Sequence, residues 1–362
     1  MNNSYTYPST ASNVHAYVID TGIRISHNDF GGRATHGRDV VENDNVATDC
    51  HGHGTHVAGT LGGSAYGVAK GVQLVAVRVF DCSGIGYMGT IAAGVDWVTA
   101  NAVRPAVVNM SLGGPPSSLL DDAVRNSVNS GLSYVLAAGN ENSNACGSTP
   151  ARVNEAITVG ATTITDARAL FSNYGNCLDL FAPGENILAP WYTSNSATAS
   201  LSGTSMASPH VAGAAALFLA NNTGATPTQV RDHLVTTATT GRVTSPGPGS
   251  PNRLLFVQES AAAFVLMLQA ADFNGDAVDD LALRRGSEYF LDTNLDGIGD
   301  TTVRWGRTTD GHFIGDFNGD GTDDLALRRG SEHYLDTNLD GIGDTTVGWG
   351  RSNDGLVARH AS

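Results

Sequence analysis

Positive charge is scarce in this chain. Its 362 residues carry 20 Lys and Arg against 35 Asp and Glu, a net charge of −15. A surface of that sign repels phosphate backbones, which argues against nucleic-acid binding. Long apolar runs are missing too: no stretch is long enough to span a bilayer, and Phe264 to Leu268 is far too short. Cysteine is limited to Cys50, Cys82, Cys146 and Cys177, and four cysteines allow three connectivities between which sequence does not choose. The start, Met1-Asn2-Asn3-Ser4, has neither the basic segment nor the apolar core of a secretory signal.

The charge is unevenly spread, with 16 acidic against 12 basic residues over 1–258 and 19 against 8 over 259–362. The apolar fraction of 41% supports a sizeable core. Over the first part, apolar runs such as Val14 to Ile19, Gln73 to Phe80, Ala106 to Met110, Tyr134 to Ala138 and Ala156 to Gly160 read as buried strands. Helices are expected near Thr55 to Leu61, Thr90 to Asn101, Leu119 to Ser130 and Pro209 to Ala220. That alternation predicts an α/β fold, a parallel sheet covered by helices on both faces.

Three motifs carry chemistry. Gly203-Thr204-Ser205-Met206-Ala207-Ser208-Pro209-His210 puts a hydroxyl at the mouth of a helix, with Pro209 tolerated in its first turn. Alone, Ser205 is an ordinary helix cap. Val18-Ile19-Asp20-Thr21-Gly22 ends a strand on a carboxylate, where sites of open α/β sheets lie. His51-Gly52-His53-Gly54-Thr55-His56 packs small residues around imidazoles at a helix start. The order Asp20, His53, Ser205 is one of the known orders of the hydrolase triad.

Through these motifs, and through Asn109 to Gly114, Ala137 to Asn140, Phe171 to Gly175, Phe181 to Gly184 and Ser250 to Leu255, residues 4–258 resemble the subtilisin-like serine proteases, the proteinase K and aqualysin-like branch most of all. The resemblance implies a secreted serine endopeptidase: Ser205 as nucleophile, His53 as general base and then acid, Asp20 orienting the imidazole, and Asn140 with the Ser205 N–H as oxyanion donors. His51, His56 and His210 inherit no catalytic role, and His56 and His210 are expected to pack or to make supporting hydrogen bonds. An extended peptide would pair with Gly84, Gly86, Tyr87 and Met88 on one side and with Ser111, Leu112, Gly113 and Gly114 on the other. The pocket for the residue before the scissile bond would be walled by Ser111 to Gly113 and by Ala137, Ala138, Gly139 and Asn140. With little charge in sight, it favours apolar or aromatic side chains. Ser148 stands where close relatives carry a tyrosine, which is expected to widen or wet it.

The same resemblance selects the disulfides Cys50–Cys82 and Cys146–Cys177, each worth roughly 3–4 kcal/mol in the chain-entropy model. They imply an oxidising compartment. It also implies structural calcium, held by Asp179 with the backbone of Asn154 and Ala156, and no organic cofactor. Asp44 and Asp49 are weaker calcium candidates, since acids in a surface loop are usually just solvated. A signal, an inhibitory propeptide and an N-terminal stretch are expected to precede this sequence, and a monomer is expected.

Residues 259–362 contain an internal repeat, in which Asp272 to Asp276 recurs as Asp316 to Asp320 and Asp292 to Gly297 as Asp336 to Gly341. Oxygen-bearing side chains fall at positions 1, 3, 5 and 9 of four loops: Asp272, Asn274, Asp276, Asp280; Asp292, Asn294, Asp296, Asp300; Asp316, Asn318, Asp320, Asp324; Asp336, Asn338, Asp340, Asp344. Such spacing wraps a loop around a hard cation. None has an acid at position 12, so these are not EF-hands, and Ala277 replaces glycine at position 6 of the first. Short strand-like stretches lie between the loops. The region resembles FG-GAP/VCBS repeats, which implies a small β-rich, calcium-binding unit. Dockerin-like loops are the alternative, but they need helices, and a merely solvated acidic tail is the bland one.

Two other functions compete. His51, His53 and His56 offer imidazoles for a zinc hydrolase, which leaves Ser205 and Asn140 unexplained. A calcium-dependent adhesion protein with an inactive protease domain would explain the tail, but leaves the intact triad without a role.

Overall fold

The computed structural model describes residues 5–257, 271–285, 288–295, 300–306, 310–329 and 331–348. The chain divides into two compact units, Met1–Glu259 and Ser260–Ser362.

The first unit runs β1 (His15–Asp20), β2 (Ala34–Asp39), α1 (His53–Gly62), β3 (Gln73–Arg78), α2 (Met88–Asn101), β4 (Ala106–Met110), α3 (Ser118–Asn129), β5 (Ser133–Ala137), β6 (Ile157–Thr162), β7 (Leu180–Pro183), β8 (Ile187–Pro190), β9 (Thr198–Leu201), α4 (Thr204–Asn221), α5 (Pro227–Thr237), β10 (Thr239–Thr240) and β11 (Arg253–Leu254). Nine strands form one sheet in the order β10-β11-β7-β6-β5-β4-β1-β3-β2, parallel except for the β10–β11 edge pair. β8 and β9 form a separate hairpin. One face of the sheet buries Val18, Leu74 and Val135 against Val57, Leu61 and Val211. The other buries Ile19, Val77 and Val108 against Val95, Val98 and Val124. A strand buried on both sides must be apolar throughout, and each such side chain contributes roughly 1.5–3 kcal/mol relative to exposure. That is why the continuous runs of β1, β3, β4 and β5 were readable. β2, with Thr35, His36, Gly37 and Arg38 on an edge, carries no such run.

β1 pairs with β3 on one side and β4 on the other. The chain reverses direction of travel across the sheet here, and the crevice at such a point opens beyond the strands' carboxyl ends. Asp20 is the last residue of β1.

Within the second unit, β12 (Leu281–Arg285), β13 (Glu288–Asp292) and β14 (Thr301–Arg304) make a three-stranded antiparallel sheet. β15 (Gly311–Gly315), β16 (Asp324–Arg329), β17 (Glu332–Asp336) and β18 (Thr345–Gly348) make a four-stranded one. Phe273, Tyr289, Leu291, Val303, Trp305, Ile314, Leu325 and Leu327 share one core. The strand-like stretches are strands, and no helix follows a loop among the described residues, which removes the dockerin alternative.

Candidate active site

Four chain segments deliver the site. Asp20 is fully buried at the end of β1, and both its oxygens face His53 Nδ1, Oδ1 at 2.8 Å and Oδ2 at 2.9 Å. His53 opens α1, whose close approach to the turn after β1 depends on Gly54: a Cβ there would sit 2.2 Å from the Gly22 carbonyl oxygen. Burial pulls the imidazole pKa down, but the Asp20 charge and hydrogen bond, helped by Asp49, outweigh it and hold His53 above the ordinary histidine value.

Asp49 is no surface acid. It is buried, and its Oδ1 accepts from Thr21 Oγ1 at 2.9 Å, His51 N at 2.9 Å and Gly52 N at 2.8 Å. Its Oδ2 accepts from Thr55 N at 2.9 Å and Thr55 Oγ1 at 2.5 Å. One carboxylate therefore caps the first turn of α1 and ties it to the residue after Asp20. Its oxygens are spent on these donors, which corrects the expectation of a solvated loop acid and leaves the weaker calcium reading of Asp49 without support.

α4 begins at Thr204, so Pro209 lies beyond the first turn. Lacking an N–H, Pro209 leaves the Ser205 carbonyl without its helical donor. Ser111 Oγ supplies it at 2.7 Å, while itself accepting from Asn109 Nδ2 at 2.9 Å and meeting Ser208 Oγ at 2.8 Å. In return Ser205 Oγ donates to the Ser111 carbonyl at 3.2 Å. The helix bearing the hydroxyl is thus stitched to the end of β4. Asn140 Oδ1 accepts from Thr204 N at 2.8 Å and Thr204 Oγ1 at 3.0 Å, which fixes the amide. Both Asn140 Nδ2 and Ser205 N lie close to Gly203: a Cβ there would stand 3.6 Å from each.

Beside Ser205 opens a cleft of about 380 Å³, lined by Leu112, Gly113, Ala138, Gly139, Glu141 and Ser148 among others. Ser148 is on this wall, as expected. Glu141 was not: its Oε2 accepts from Asn173 Nδ2 at 2.8 Å, which sets a carboxylate at a pocket read as nearly uncharged. Gly114 also departs from expectation. Its N–H and carbonyl both pair with Thr149, at 2.9 and 3.0 Å, so its backbone is not open to a peptide. Gly84, Gly86 and Tyr87 form the loop before α2, with Tyr87 strongly exposed, and Met88 is the first residue of the helix.

The other imidazoles go elsewhere. His56 Nε2 meets the carbonyls of Ile187 at 3.0 Å and Ala199 at 3.1 Å, bracing α1 against β8 and β9, and burial pushes its pKa down to about 4. His210 Nδ1 donates to the Met206 carbonyl at 2.8 Å, and burial lowers its pKa. His51 Nδ1 accepts from His53 N at 3.4 Å, His53 Nδ1 faces Asp20 and His56 Nε2 faces two carbonyls, so the three imidazoles offered for zinc do not converge among the described residues. Cys50–Cys82 and Cys146–Cys177 are both bridged.

The structure places an arginine where a calcium ion was expected. Asp179 Oδ1 is paired with Arg231, at 2.6 Å from Nε and 2.5 Å from Nη2, and Arg231 Nη1 donates to the Asn154 carbonyl at 3.0 Å. Asp179 Oδ2 accepts from Thr158 N at 2.8 Å. Two of the three expected ligands, Asp179 and Asn154, are thus taken, and with Ala156 they do not fit a metal.

In the second unit the first and third loops share their opening bond, and all four share the bond that joins position 9 to position 2. Asp272 Oδ1 accepts from Gly275 N at 2.6 Å, as Asp316 Oδ1 does from Gly319 N at 2.6 Å. The position-9 acids Asp280, Asp300, Asp324 and Asp344 each accept from the backbone N–H of position 2, at 2.7 to 2.9 Å. Asp296 lies outside the described residues. Among the described residues no three His, Cys, Asp or Glu side chains converge as a metal site.

A parallel sheet that brings a carboxylate-bound imidazole, a helix-mouth hydroxyl and an oriented amide to one rim is the architecture of a serine hydrolase. The chain belongs to the subtilase family, which it matches over residues 12–256. It is 59% identical over 252 residues to an extracellular serine proteinase of Thermus sp. (strain Rt41A), covering 70% of this chain and 62% of that protein. It is 55% identical over 256 residues to alkaline serine exoprotease A of Vibrio alginolyticus, covering 71% of this chain and 47% of that protein. A crystal structure of a cold-adapted subtilisin-like serine proteinase is similar with a TM-score of 0.70 and 50% identity, over 71% of this chain and 93% of that one. The chain thus spans less than two thirds of these two relatives.

Proposed function

We propose that this chain is a secreted serine endopeptidase of the proteinase K branch. The observation that carries the reading is the pairing of Asp20 with His53, together with Ser205 in the first turn of α4 and the Asn140 amide tied to Thr204 beside it. Ser205 Oγ leaves the Ser111 carbonyl, attacks the substrate carbonyl carbon and gives its proton to His53 Nε2. The oxyanion settles between Asn140 Nδ2 and Ser205 N. Collapse expels the amine, which takes the proton from His53, and water reverses the sequence to release the acid.

An extended peptide lies between the Gly84 to Tyr87 loop and Ser111 to Gly113. The pocket takes apolar or aromatic side chains, and Glu141 at its wall admits a basic one as well. Calcium belongs to the second unit, whose Asp and Asn oxygens suit a hard cation, and a propeptide and attachment through the repeats complete the reading. The adhesion reading with an inert protease unit is less favoured, because an inert site needs neither the amide fixed by Thr204 nor the Asp20–His53 pair.

Labelling with a fluorophosphonate followed by peptide mapping tests the reading: Ser205 alone should be modified, and Ser205→Ala should abolish hydrolysis with the fold retained. Activity lost to a zinc chelator but not to the phosphonate would overturn it.

A further inference from the structure

Asp179 is buried just before β7, with its side chain 5% exposed, beside the turn that leads into β6. A carboxylate buried this deeply is costly unless it is paired, so the site needs a cation. Arg231 comes from α5, which holds its own start through a capping box between Thr226 and Gln229 and buries Val230 and Leu234. Its guanidinium grips Asp179 Oδ1 with two nitrogens and the Asn154 carbonyl with the third. This is the ligand pattern of a hard cation, one carboxylate and a main-chain carbonyl, met by a planar fork of the protein's own.

We infer that Arg231 is the built-in structural cation of this pocket, so that the β6, β7 and α5 junction is held without a divalent ion. A metal is lost to a chelator; a guanidinium on a capped helix is not. The junction should therefore be indifferent to calcium, whatever the second unit binds.

The test uses the full chain carrying Ser205→Ala, to prevent self-digestion, and reads hydrogen exchange of peptides covering 153–162 and 227–237, which reports locally on the junction. In the parent, exchange should be the same in chelator and in millimolar calcium. Arg231→Met leaves Asp179 without its partner, so exchange in chelator should rise by roughly tenfold or more, and calcium should slow it again. Arg231→Lys keeps a charge and should stay calcium-indifferent. The inference fails if calcium slows the parent peptides as much as those of Arg231→Met. It also fails if Arg231→Met exchanges like the parent in chelator, if calcium does not slow that variant or it folds in neither condition, or if Arg231→Lys responds as Arg231→Met does.

Discussion

His53 Nδ1 is held by both oxygens of Asp20, at 2.8 and 2.9 Å, and that one contact sets the charge of the imidazole against its burial. Burial alone would lower its pKa; Asp20 and, more weakly, Asp49 reverse the sign. Catalysis needs neutral His53, so kcat/KM should rise with pH through a midpoint above the ordinary histidine value. The stability the imidazolium gains from Asp20 runs the other way: present below the unfolded histidine pKa, it is lost as pH rises through the folded one. Asp20→Asn removes the charge, leaves burial dominant and should move the midpoint down while cutting kcat by about 10⁴. A pH–rate profile of the two proteins decides, and an upward move would contradict the assignment.

Asp49 should matter too, mainly through stability and without touching substrate. An asparagine keeps its shape but turns an NH₂ toward donors where the carboxylate accepted five hydrogen bonds. Losing two of these to a charged acceptor should cost about 3 kcal/mol or more, lowering Tm by roughly 6–12 °C in a unit of this size. The loosened start of α1 should also lower kcat about tenfold or more. Calorimetry and steady-state kinetics on Asp49→Asn check both, and an unchanged Tm would return Asp49 to the status of a solvated loop acid.

Asn140 and Gly203 should act on the same oxyanion by different means. Asn140→Ala removes one oxyanion donor and should lower kcat roughly 10²–10³-fold with KM little changed, the magnitude known for such a donor in a subtilisin. Gly203→Ala leaves both donors but places a methyl 3.6 Å from each, where it should crowd the oxyanion of the proposed mechanism. It should depress kcat in the same way, and combining the two should cost far less than the product of the single losses. Independent, multiplying effects would mean that the donors do not share one oxyanion.

What was legible in the sequence was local. The buried strands, the position of Asp20 at a strand end, the helix mouth at Ser205 and the glycines that permit close approach all follow from runs of a few residues. What was not legible was choice of partner across the fold. Asp49 looks solvated until residues 49 to 55 fold back on it. Glu141 enters the pocket because Asn173 holds it there. Gly114 is closed to substrate by Thr149. Arg231 reaches Asp179 across 52 residues. The capping box of Thr226 and Gln229 was a local signal for α5 that could have been read, but nothing local to it points at Asp179.

Ala277 offers the sharpest test of the repeat unit. It is at position 6 of its loop with φ +64°, in the left-handed region, where Gly321 and Gly341 hold the equivalent places at +92° and +81°. An alanine pays a steric penalty there that glycine does not, on the order of 1 kcal/mol. Its N–H must nonetheless take this conformation to reach Asp272 Oδ2, 2.7 Å away, as Gly321 N does Asp316 Oδ2 at 3.0 Å. Ala277→Gly should therefore stabilise the closed first loop, and if the loops hold calcium it should tighten the weakest site by about fivefold, the factor that 1 kcal/mol allows. Calorimetric titration of the full-length Ser205→Ala chain, with and without Ala277→Gly, reads this as a change confined to the weakest binding step. Calcium uptake absent from both proteins at millimolar concentration would remove calcium from the proposed function, and uptake with the weakest step unmoved would place that step in another loop.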